Sequence, residues 1–143
     1  MEKIRLNATE IKYITLFENL TGARIKDCVS EKNTIGFLVE NGHMGLAIGK
    51  NGSNVSRVMK VIGKNIIVVE SFPEVKKFIS NLFQPFKVRN MRILEEDGEK
   101  IAIIEVNKKD RKKVIGSDGV RIKIAKKLAE RHFGISNIKV RAI

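Results

Sequence analysis

Two short stretches of the 143-residue sequence have the composition of an anion-binding loop. The first is Ile48-Gly49-Lys50-Asn51-Gly52-Ser53-Asn54-Val55. Sixty-seven positions on, Ile115-Gly116-Ser117-Asp118-Gly119-Val120-Arg121-Ile122 repeats its order: apolar lead-in, two residues bracketed by glycines, helix start. Glycine adopts positive φ and lets another molecule approach the backbone without meeting a Cβ. A helix beginning directly after the second glycine presents unpaired N–H groups and the positive end of its dipole, which suits a phosphate. Lys50 adds a full charge inside the first loop. One such glycine pair is a weak signal. Two in register, with matching apolar residues before and after, mark an internal duplication.

The remaining inventory argues against catalysis. There are two histidines, His43 and His132, and neither belongs to a nucleophile-and-base pattern or a metal-ligand spacing. The glycines are too close together for a Walker loop, and neither pair follows a strand directly, as a dinucleotide fingerprint would require. No enzyme activity, cofactor, metal or small-molecule substrate is therefore expected. The single cysteine, Cys28, excludes an internal disulfide and a cysteine zinc site, and is read as a small core residue on a strand. No run approaches the ~20 apolar residues of a membrane span, and the opening Met-Glu-Lys-Ile-Arg lacks a signal-peptide core. The expectation is a cytoplasmic protein with no membrane partner.

Charge identifies the class of partner instead. The net charge is +12 and the isoelectric point near 10.0, which calls for a polyanion. The excess is uneven: residues 1–72 carry 10 basic and 7 acidic side chains, residues 73–143 carry 18 and 9. With 7 Phe, 1 Tyr and no Trp, an aromatic sheet for stacking bases is not on offer. A loop clamp beside an aliphatic groove suits this inventory better.

The elements that must hold the loops follow from periodicity and punctuation. Asn7 and Glu10 make a helix start, Ile11, Ile14, Phe17 and Leu20 fall on one face, and Gly22 stops the helix. Strands are predicted over 23–29 and 34–40, with Glu31-Lys32-Asn33 as their turn, then a helical turn over 43–48. After the first loop a helix over 53–62 turns Val55, Val58, Met59 and Ile62 inward, and a buried strand follows at 66–69. The cycle then restarts. Ser71 and Glu74 predict a second helix start, Val75, Phe78, Ile79 and Leu82 its stripe, and Pro85 its limit. Strands over 86–94 and 100–106 enclose the turn Asp97-Gly98. A basic turn at 108–114, the second loop, a helix over 120–133 and a strand over 137–142 complete the half. No spacer separates the halves, so a tight boundary near residue 72 is expected.

The I-G-x-x-G loops resemble those of KH modules, which clamp the backbone of about four nucleotides. The order helix, strand, strand, short helix, loop, helix, strand resembles the type II KH fold over essentially the whole chain. Two such units in tandem are similar to the RNA-binding half of NusA-like transcription factors, and the size is similar to the short archaeal form. The resemblance implies an α+β protein with KH domains at 1–72 and 73–143, each a small three-stranded mixed sheet with helices packed on it. It also implies binding of single-stranded RNA, a role in termination or antitermination, and contact with RNA polymerase or the elongation complex. A ribosome-associated or RNA-processing KH protein that grips structured RNA is the alternative. Carried onto this sequence, the first clamp is Gly49, Lys50, Asn51 and Gly52, with Ile48 and Val55 in the groove floor and Arg57 beside it. The second is Gly116, Ser117, Asp118 and Gly119, with Ile115 and Ile122 in the floor. Asp118 departs from the pattern by placing a negative charge where a phosphate would lie. Lys112, Lys113, Arg121 and Lys123 are the nearby candidates to offset it.

Overall fold

A computed structural model describes residues 6–143, so the first five residues of the expected first domain lie outside the described residues. The chain forms two units, with the division between Phe72 and Pro73.

In the first unit, α1 (Ala8–Thr21) begins at a reciprocal capping box. The Glu10 N–H donates to the Asn7 side chain at 2.7 Å, and the Asn7 N–H donates to the Glu10 carboxylate at 3.1 Å. β1 (Ile25–Glu31) and β2 (Thr34–Val39) pair antiparallel across the two-residue turn Lys32-Asn33. β3 (Asn65–Glu70) pairs parallel with β2, giving the order β1-β2-β3. A parallel neighbour cannot be reached by a hairpin, so the chain must cross over. That crossover is α2 (Met44–Ile48), the first glycine loop and α3 (Ser53–Ile62). The core between helices and sheet gathers Phe17, Cys28, Ile35, Phe37, Val39, Ala47 and Val58. Phe17 and Phe37 are tilted rings 4.6 Å apart. Every residue of β2 is buried, so this strand is covered on both faces.

The second unit repeats the order. α4 (Val75–Leu82), β4 (Val88–Glu96) and β5 (Glu99–Val106) lead through one 3-10 turn to α5 (Arg111–Ile115). The second glycine loop, α6 (Val120–Phe133) and β6 (Ile135–Ala142) follow. β4-β5 is antiparallel and β5-β6 parallel. Phe78 of α4 packs against Phe133 of α6 at 4.8 Å. Both units are therefore three-stranded mixed sheets with helices packed on them, the α+β arrangement that the resemblance to tandem KH domains implied.

Three details differ from expectation. Ser71 does not cap α4: its N–H donates to the Val39 carbonyl and its own carbonyl accepts from Asn41 Nδ2. Glu74 is the cap, accepting from the N–H groups of Lys76 and Lys77. Ile11 and Met59, both expected inward, are exposed, while Glu10 is buried in its capping box.

Candidate nucleic-acid interface

The first loop is built on a contact that only glycine permits. Gly49 has φ 74° and ψ 172°, a region essentially closed to other residues. A Cβ there would stand 2.7 Å from Asn54 Cγ and 2.8 Å from the Asn54 backbone nitrogen. The first turn of α3 therefore rests directly on the Gly49 backbone. Asn54 Nδ2 donates to the Leu46 carbonyl at 2.7 Å and ties α3 back onto α2. Between these fixed points the chain turns through Asn51 (φ 54°, ψ 31°) and Gly52 (φ 75°, ψ 15°).

The second loop is the same object. Gly116 has φ 85° and ψ 165°, Asp118 φ 55° and ψ 25°, and Gly119 φ 70° and ψ 16°. A Cβ on Gly116 would stand 2.8 Å from the Arg121 backbone nitrogen. This conformation supplies a backbone reason for Asp118. Asparagine and aspartate tolerate the left-handed region better than other non-glycine residues, and Asn51 and Asp118 occupy it at matching positions.

Around each loop the expected residues are brought together. Lys50, Asn51 and Arg57 are exposed, and Ile48 and Val55 are half-buried on either side. At the second loop Lys112, Lys113, Ser117 and Asp118 are exposed, and Ile115 and Ile122 are half-buried. A cavity of about 390 Å³ opens there, lined by Arg111, Lys112, Ile115, Gly116 and Ser117. Arg111 is a lining residue that the motif alone does not reveal, although it continues the basic run that starts at Lys108. Half-burial lets the four aliphatic residues support the helices while offering an apolar edge to a ligand.

Arg121 is differently employed. It stands where Asn54 stands in the first loop, and its Nη2 donates to the Gln84 carbonyl. Its guanidinium lies 5.5 Å from the centre of the Phe86 ring. Burial pushes its pKa below the usual arginine value, and its Nε is buried without a partner. The side chain thus fastens the α4–β4 connection to the start of α6. Arg121→Ala is expected to lower stability by about 1–2 kcal/mol through loss of a charged hydrogen bond and a cation–π interaction. RNA affinity measured in the same preparation should change little. Unchanged melting with a large loss of affinity would return Arg121 to the binding surface.

Among the described residues no cluster of His, Cys, Asp or Glu could hold a metal ion, and no helix is long and apolar enough to cross a membrane.

Comparison with known proteins agrees with this geometry. A family model described as the NusA-like second KH domain matches residues 75–142, and one described as the KH domain matches residues 10–80. The chain is 35% identical over 140 residues to the probable transcription termination protein NusA of Methanocaldococcus jannaschii, covering 98% of this chain and 76% of that one. It is 36% identical over 137 residues to the protein of that name from Halobacterium salinarum, covering 96% and 98%. The crystal structure of APE1850 matches with a TM-score of 0.78 at 30% identity, covering 95% of this chain and 100% of that one.

Proposed function

The chain belongs to the NusA-like family of tandem KH proteins, and from that premise we propose that it is a non-enzymatic factor binding single-stranded RNA in transcription termination or antitermination. The observation that carries the reading is the paired glycine loops: the same backbone built twice, each flanked by exposed cations and half-buried aliphatic side chains. Each would clamp a short run of RNA backbone while bases lie against Ile48 and Val55, or against Ile115 and Ile122. On this reading the domains are 1–72 and 73–143, the RNA is a nascent transcript, the protein partner is the elongation complex, and the compartment is the cytoplasm. The names of the relatives and the excess of positive charge support it.

A salt titration tests the electrostatic half of the reading. For single strands, log K falls with log salt by about 0.7 per phosphate neutralised, so four to eight contacts give a slope of roughly −3 to −6. A slope near zero, or equal affinity for duplex RNA, would overturn it. Crosslinking in cells tests the context: nascent transcripts are the expected catch, whereas mature ribosomal RNA would place the protein at the ribosome.

A further inference from the structure

Each unit carries a bulge at the same place in its first strand, after Ile25 and after Val88, so the two sheets can be matched position by position. Val29 lies opposite Gly36, and Arg92 opposite Ile103. Leu38 pairs with Val69, and Glu105 with Arg141; Gly36 pairs with Ile67, and Ile103 with Lys139. In the first sheet this face is apolar: Leu38 is 0% exposed, and Val29 and Val69 are 1% exposed. In the second sheet the same positions hold Arg92, Glu105, Arg141 and Lys139, and the three cations are exposed. A cavity of about 340 Å³ opens on this face, lined by Asn90, Met91, Arg92, Ile103, Glu105 and Arg141, with Lys139 on the same face outside the lining. Ile103 contributes an apolar surface to it, and Glu105 accepts a 2.9 Å hydrogen bond from Asn90 Nδ2.

We propose that this cavity, on the face of the second sheet, is an additional nucleotide site that takes a base and its phosphate from single-stranded RNA leaving the second loop. The proposal rests on the RNA-binding reading of the second unit. Two lining arginines against one carboxylate, with Lys139 exposed on the same face, favour an anion. The guanidinium planes of Arg92 and Arg141 give a base surfaces to stack on where no aromatic ring is present, and Ile103 adds an aliphatic one. Glu105 accepts hydrogen bonds, so it favours bases with an exocyclic amino group, cytosine N4, adenine N6 or guanine N2, over uracil. An acidic peptide would meet the same carboxylate as a phosphate does, but would bring no base to stack on the guanidinium planes. The site is also close along the chain to the basic turn that precedes the second loop. β5 ends at Val106, one residue beyond Glu105, and the chain passes directly into the basic turn and α5 with Lys112 and Lys113.

The test uses the full chain and two RNAs, one of four nucleotides, the span of a KH clamp, and one about three times as long. The double variant Arg92→Gln, Arg141→Gln is expected to bind the longer RNA about tenfold more weakly and the shorter one as before. Its salt slope should be shallower by about 0.7 for each phosphate that is no longer neutralised. Glu105→Gln is expected to reduce the preference for cytosine- and adenine-rich over uridine-rich long RNA. Unchanged affinity for the longer RNA overturns the proposal. So does an equal loss on both lengths, which would make the arginines a general field around the loop. Loss of binding to a polyglutamate peptide, with RNA binding intact, would assign the face to an acidic protein segment. Failure of the parent chain to bind either RNA would instead overturn the RNA reading itself.

Discussion

Replacing Lys50 and Asn51 together with aspartate is expected to weaken RNA binding about thirtyfold while leaving the fold in place. Both side chains are exposed, and neither makes one of the hydrogen bonds that close the loop, which run from Gly49 N–H to the Gly45 carbonyl and from Gly52 N–H to the Gly49 carbonyl. Aspartate is compatible with the backbone at position 51, because Asp118 already holds the same left-handed conformation in the second loop. The stability change should stay within about 0.5 kcal/mol, as at other surface sites. The binding loss has two sources, removal of a charged interaction and introduction of two negative charges against a phosphate, together costing about 2 kcal/mol. Ser117→Asp, beside the existing Asp118, is expected to cost less. Affinities of the two variants at one salt concentration, with circular dichroism melts as the folding control, decide the matter. If Ser117→Asp proves the more damaging, the basic second unit is the main grip.

Gly49→Ala is expected to do the opposite kind of damage, acting on the fold before the ligand. The added Cβ meets the backbone nitrogen of Asn54 at 2.8 Å, and neither partner is a flexible side-chain end that can swing away. Strain at φ 74° adds to the overlap, for a combined cost of about 2–4 kcal/mol. For a unit of this size that lowers the melting temperature by roughly 10 °C or more. Gly45→Ala is the control. It lies within α2 with open space around a Cβ, so it should be neutral or stabilise by up to about 1 kcal/mol. Melting of Gly49→Ala at the parent temperature would mean that α2 and α3 separate at little cost, contrary to the packing described above.

The loops were legible in the sequence because their chemistry is local. A glycine pair, the apolar residues beside it and the helix that follows all lie within eight positions. The first helix start was equally local, since Asn7 and Glu10 satisfy each other. Ser71 and Glu74 have the same spacing, yet Ser71 is held by Val39 and Asn41, some thirty positions back. Spacing alone could not separate a cap from a strand extension. Ile11 and Met59 show a related limit: a periodic stripe tells which face of a helix turns inward, but not how far along the helix its neighbour reaches. Arg121 read as one more cation near a phosphate, because its partner carbonyl, Gln84, is 37 positions away. The contrast between the two sheet faces was hidden for the same reason. It depends on register, and a bulge in β1 and another in β4 shift the register by one residue.

The covering of β2 on both faces has a consequence for how the stability of this protein can be followed. Amide hydrogens of a strand shielded on both sides exchange with solvent only when the surrounding structure opens as a whole. The N–H groups of Phe37 and Leu38, residues that are 0% exposed, therefore report the opening free energy of the first unit. Ala102 and Ile104 are also 0% exposed, in β5, whose two edges are hydrogen-bonded to β4 and β6. Although the other face of that strand is open, their N–H groups report the opening free energy of the second unit. Deuterium uptake at these two strands gives each unit its own stability scale within the intact chain. A substitution in one glycine loop can thereby be assigned to the unit it disturbs without cutting the protein in two.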